Sequence, residues 1–139
     1  MRIPIPAVVV PVIAVLLYGL VPGVRERPWT AVRIAGAIVA AIAYALVLAA
    51  RIQLGKSFSV RPQARELVTH GLYSRLRNPL YVFVDIMLFG LTLALHLYWL
   101  FAVLPVAVVV QALQARGEAK VLQEKFGQEY LDYRERTWF

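Results

Sequence analysis

An all-α, polytopic integral membrane protein is predicted by three observations. Of the 139 residues, 60% are hydrophobic and only 17% charged, the mean hydropathy is +0.66, and the basic residues stand between long uncharged runs. So apolar a chain lacks the polar side chains to clothe a soluble domain, and its length allows a single domain over residues 1–139. It contains no Cys, which excludes disulfides, thiolate metal sites and thiol nucleophiles; no metal is expected.

The first run, Ile3 to Val24, holds 22 residues without a charge. That is enough for one crossing over about residues 5–24, with Pro4, Pro6 and Pro11 keeping its start irregular. A single preceding Arg and the length of the run favour a span over a cleaved signal peptide.

The second run, Ile34 to Ala50, reaches back to Trp29 if Arg33 snorkels to the surface, giving a span over 29–50. Ala37, Ala41, Ala45 and Ala49 form an i+4 row on it, with Gly36 and Ala40 alongside. Such a ridge lets another helix approach closely, and packing within the same four-helix unit is expected rather than a dimer seam.

The third run, Asn78 to Ala115, has 38 residues interrupted only by Asp85 and His96. At about 1.5 Å per residue it is nearly twice the roughly 30 Å apolar thickness of a bilayer. It therefore divides into spans over 79–95 and 98–115, with a tight hairpin at His96, Tyr98 and Trp99.

Four spans place both termini on one side. That side, with the loop 51–78 and the tail 116–139, carries twelve of the 15 basic residues, and only Arg25, Arg27 and Arg33 lie on the other. The positive-inside tendency then puts the termini, the loop and the tail in the cytoplasm, with a bacterial inner membrane as the expected location. The net charge of +7 is accounted for by this topology, so the expected partner is the lipid bilayer and not nucleic acid.

Nearly all the polar chemistry lies in the cytoplasmic half. Gly71, Leu72 and Tyr73 read as a turn, and Asn78-Pro79 as a helix start with an Asn cap and Pro at the first helical position. That positive helix end, beside Arg75 and Arg77, could hold a carboxylate. Tyr81, Asp85 and Thr92 share roughly one helix face. Asp85 is either a functional acid or a structural partner of an Arg or of the Tyr81 hydroxyl. In the tail, Leu122, Phe126 and Tyr130 make an apolar stripe that Gly127 can bend, and Arg116 and Glu118 face the loop if the tail folds back.

The stretch Leu67-Val68-Thr69-His70-Gly71-Leu72-Tyr73, followed by Arg77-Asn78-Pro79-Leu80-Tyr81, resembles the signature of the isoprenylcysteine carboxyl methyltransferase family and of phospholipid methyltransferase-like membrane enzymes. In that signature "LVT-x-G-x-Y" precedes "R-H-P-x-Y". The tail agrees: Glu118, Leu122, Phe126-Gly127, Tyr130 and Tyr133 are similar to the family's second motif, an acid followed by "L-x-x-x-F-G-x-x-Y-x-x-Y". Two motifs in order are more specific than either alone.

The resemblance implies an integral membrane enzyme that binds S-adenosyl-L-methionine without a Rossmann domain, in a cytoplasmic pocket of loop and tail. By similarity, Leu67 and Val68 contact the cofactor through backbone, Tyr73, Arg77, Asn78, Pro79, Leu80 and Tyr81 line it, and Glu118 accepts from it. Arg116, Glu118 and Asp85 are the catalytic candidates and Gln114 the substrate candidate.

The departures from the pattern bear on the substrate. The usual His before Pro is Asn78, which cannot titrate near neutrality. Phe83 replaces a common Gly and would narrow a pocket it faced. The Arg expected four residues before Glu118 is Gln114, and Arg116 stands about 200 degrees away around a helix. The second acid of the family's pair is Ala119. The expected function is therefore methyl transfer at the cytoplasmic membrane interface to a small or lipophilic acceptor, with carboxylate, thiol and amine all open. The alternative is a non-catalytic four-span binding or assembly protein that retains the methyltransferase fold.

Overall fold

The computed structural model describes residues 25–54 and 67–138, together with Ile13 and Tyr18. The expected span 5–24, apart from those two positions, and loop residues 55–66 lie outside the described residues. Among the described residues four α-helices follow in order: α1 (Ala31–Leu54), α2 (Pro79–Leu95), α3 (Val103–Phe126) and α4 (Gln128–Arg136). Short 3-10 turns at Gly71–Ser74 and Tyr98–Ala102 precede α2 and α3. Among the described residues no strand forms beyond one isolated bridge between Leu76 and Trp138, so the regular structure described is all helical. Helix α1 and the stretch Tyr98–Phe126 are long and apolar enough to cross a membrane, and α2 is a shorter apolar helix.

Helices α1 and α2 form the tightest pair because two glycines meet. A Cβ placed on Gly36 would stand 2.6 Å from the Leu93 Cβ and 2.7 Å from the Gly90 carbonyl oxygen. One on Gly90 would stand 2.6 Å from the Ala40 nitrogen, so the two backbones touch. The buried face of α1 is Arg33, Gly36, Ala40, Ala43, Val47 and Ala50. The expected Ala37–Ala49 row is not the seam: Ala41 and Ala45 are exposed, because closest approach at Gly36 rolls the helix toward the neighbouring row. Gly36 and Ala40, which flank that row, are the residues that meet α2.

Arg33 does not snorkel. It is fully buried, its Nε donates to the Ala94 carbonyl at 2.8 Å, and a terminal nitrogen donates to the carbonyls of Arg27 and Pro28. The guanidinium also lies 4.6 Å from the Trp29 ring centroid. The Ala94 carbonyl at the end of α2 and those of Arg27 and Pro28 ahead of α1 supply what bulk water would have offered, which makes burial tolerable.

Helix α2 ends where the sequence predicts. His96 adopts a left-handed conformation (φ 55°, ψ 31°) and its N–H returns to the carbonyls of Leu93 and Thr92. Helix α1 continues one turn past the expected boundary, to Leu54. Helix α3 runs on unbroken from its apolar part into the charged tail until Gly127, whose φ of +53° stops it. Helix α4 then folds back, burying Tyr130 and Tyr133.

An apolar groove of about 320 Å³ lies between α1 and α2, walled by Tyr18, Trp29, Ala41, Tyr44 and Leu91 among others. It contains none of the predicted site residues.

Candidate functional site

The segment ahead of α2 is tied from both sides. Gly71 takes φ +62°, and a Cβ there would meet the Gln53 side chain at 2.4 Å. Gln53 Oε1 accepts the Leu72 N–H at 2.8 Å, anchoring the turn to the end of α1. Tyr73 is buried against Val47, Ala50, Leu80 and Val84, with Val68, Leu72 and Phe83 packed around them. Phe83 is thus part of this core.

The tail holds the other side. The Tyr133 hydroxyl donates to the Tyr73 carbonyl at 2.7 Å. The Trp138 N–H donates to the Arg75 carbonyl at 2.7 Å, and the Arg77 N–H to the Trp138 carbonyl at 3.0 Å. Half-buried Arg77 is fixed just before the helix start. Pro79 occupies the first turn as predicted, but the Asn78 side chain makes no capping hydrogen bond. Its φ of −126° and ψ of 56° depart from the extended backbone that aims a cap side chain at the first-turn amides. Among the described residues those N–H groups receive no side-chain cap.

The two motifs meet at Tyr81 and Glu118. The Tyr81 hydroxyl donates to Glu118 Oε1 at 2.7 Å, joining the first turn of α2 to the middle of α3. Gln114 Oε1 stands 3.5 Å from the same hydroxyl, and with one proton to give, Tyr81 spends it on the nearer carboxylate. Burial raises the Glu118 carboxyl above the ordinary carboxylate range, and the Tyr81 hydrogen bond works against that rise. Burial, then the neighbouring Tyr133 and Glu118, push the Tyr73 hydroxyl well above its usual value. Tyr73 and Glu118 thus share one electrostatic neighbourhood.

Asp85 lies one turn along α2 from Tyr81. Among the described residues its partner is neither an Arg nor Tyr81: Gln111 Nε2 donates to its Oδ1 at 2.9 Å across the α2–α3 seam. Thr92, seven residues further along the same helix, is buried, and its hydroxyl donates to the Leu88 carbonyl of its own helix. Arg116 is exposed and, two residues from both Gln114 and Glu118, points to the opposite side of α3. Of the predicted residues, Tyr73, Tyr81, Gln114 and Glu118 come together, Asp85 forms a neighbouring pair, and Arg116 joins neither.

Sequence reasoning missed Gln53 and Gln111. For Gln111 a signal existed, since it lies seven residues before Glu118, on the same helix face, inside an otherwise apolar run. For Gln53 none did.

The family model described as phospholipid methyltransferase matches residues 30–129, which hold both members of the Tyr81–Glu118 contact. No curated protein matches the chain.

Proposed function

Because the chain belongs to the phospholipid methyltransferase family, whose members are integral membrane methyltransferases related to the isoprenylcysteine carboxyl methyltransferases, we propose that it transfers a methyl group from S-adenosyl-L-methionine to a small or lipophilic acceptor at the cytoplasmic face of the membrane. The observation that carries this reading is the 2.7 Å hydrogen bond from Tyr81 to Glu118, which brings the two motif segments into contact.

The residues present suit such a cofactor. Glu118 is a half-buried acceptor for hydroxyl or ammonium donors, oriented by Tyr81. Arg77 and the uncapped amides of α2 are donors for a carboxylate. Half-buried Leu67 and Val68 offer apolar surface, Asn78 adds a neutral polar group, and Tyr73, Pro79 and Leu80 are buried in the core that supports them. The bound cofactor supplies an electrophilic methyl on a sulfonium. The chain contributes orientation and exclusion of water, with Asp85 as the acid in the spanning part that can take up an acceptor's proton. Arg116, turned away, receives no role in the transfer.

Four spans over 5–24, 29–50, 79–95 and 98–115, with the termini in the cytoplasm of a bacterial cell, complete the reading. The apolar lengths of α1, α2 and the Tyr98–Phe126 stretch support it, as does the distribution of basic residues.

S-Adenosylhomocysteine titrated by calorimetry into the detergent-solubilised protein tests the proposal. Saturable binding that Glu118→Ala and Tyr81→Phe weaken at least tenfold, without loss of fold, is the expected result. No binding by well-folded protein would point instead to a non-catalytic member that keeps the fold.

A further inference from the structure

Trp138 combines a fixed main chain with an unpacked ring. Its N–H donates to the Arg75 carbonyl at 2.7 Å, and its own carbonyl accepts the Arg77 N–H at 3.0 Å and Arg77 Nε at 3.4 Å. The indole is nevertheless 79% exposed, more than either Trp29 or Trp99. A ring of this size left in water forgoes the burial that aromatic side chains ordinarily gain.

The place of the ring is specific. Arg77 stands two residues before Pro79, where the apolar helix α2 begins. The Leu76–Trp138 bridge therefore lies level with the membrane–water boundary of that span, the depth at which Trp rings settle in bilayers. The same corner is cationic. Arg75, Arg134 and Arg136 are exposed, none of the three has an ion-pair partner among the described residues, and Glu135 is the acid interleaved with them.

We propose that Trp138, with Arg75, Arg134 and Arg136, is an anchoring surface for anionic phospholipid headgroups, and that this lipid surface holds the tail shut against residues 75–77. A neutral bilayer accepts the indole alone; the guanidinium groups select an anionic one. Contacts made only by the closed tail shift the population toward closure by as much as the two affinities differ. The tail also carries the Tyr133–Tyr73 bond, so closure fixes the segment that leads to Tyr81. The anchor does not depend on the methyl-transfer reading, because lipid acts here as a surface and takes no part in a reaction.

Protein carrying Trp29→Phe and Trp99→Phe, in which Trp138 alone emits, is placed in nanodiscs of phosphatidylcholine and of phosphatidylcholine with one-third phosphatidylglycerol. The anionic discs should give a blue-shifted emission, acrylamide quenching at least threefold weaker, and amide exchange over residues 73–78 at least threefold slower. High salt reverses these differences. Arg134→Gln with Arg136→Gln returns the anionic discs to the phosphatidylcholine values, whereas Arg134→Lys with Arg136→Lys, which keeps the charge, retains the response. Both positions are exposed, and the melting temperature in detergent checks that the fold is kept. Trp138 equally open to acrylamide in the two lipids, a lipid difference that survives the paired Gln substitutions, or amide exchange that ignores the lipid overturns the proposal.

Discussion

Tyr133 and Tyr73, 60 positions apart, are joined by a buried 2.7 Å hydrogen bond from the hydroxyl of one to the main-chain carbonyl of the other. The tail thereby holds the turn that leads into α2.

Tyr133→Phe leaves that carbonyl short of a donor and should destabilise the protein by about 1–3 kcal/mol, read as a lower melting temperature in detergent. The same hydroxyl predicts a pH effect. Burial raises its pKa from 10.0 to about 12. A group raised on folding contributes stability that is complete below the unfolded value and lost as pH rises through the folded one. Wild type should therefore lose more stability between pH 10 and 12 than Tyr133→Phe does.

The glycine contact between α1 and α2 predicts a contrast. Gly36→Ala puts a methyl group 2.6–2.8 Å from Leu93, Gly90 and Ala94 atoms, two of them main-chain, at an expected cost of about 1–3 kcal/mol or more. Gly117 in α3 would meet nothing within 4 Å, so Gly117→Ala should be neutral or stabilise by up to about 1 kcal/mol through helix propensity. Thermal unfolding of the two variants side by side decides it.

Glu118 is held above its ordinary value of 4.5 by burial, so its neutral form favours the fold and that contribution disappears as pH rises through the raised value. Glu118→Gln, which stays neutral, should match wild type in strong acid and exceed it in melting temperature once pH passes the ordinary carboxylate range. Equal melting curves across that range would remove the linkage.

Arg33 bonds three carbonyls at one end of the α1–α2 pair, a geometry suited to a planar fork and not to an ammonium. Arg33→Lys should cost about 1–3 kcal/mol, detected as a fall in melting temperature with S-adenosylhomocysteine affinity unchanged.

What was legible in the sequence differs by element. The Asn-Pro start and the break at His96 marked α2 from end to end, because both are local signals. The Arg33 environment was not readable, since burial of a cation depends on a carbonyl 61 positions away at Ala94. The same holds for Gln53, which meets Leu72 only once α1 has packed. Asn78 misled because a cap requires a backbone conformation as well as a suitable residue. Tyr81 and Glu118 were anticipated as neighbours through the two motifs, whereas their direct bond, and the Gln111 partner of Asp85, needed the register of α2 against α3.

The bridge between Leu76 and Trp138 has a consequence for the order of events during synthesis. Gly36 and Gly90 can meet as soon as α2 has emerged, so the α1–α2 pair forms early. The carbonyls of Tyr73 and Arg75 wait for Tyr133 and Trp138, made about forty residues after the end of α2. Insertion of the helical pair and maturation of the segment beside Glu118 are therefore separate steps, and a lesion beyond Gly127 should leave a protein that enters the membrane normally yet never finishes its site.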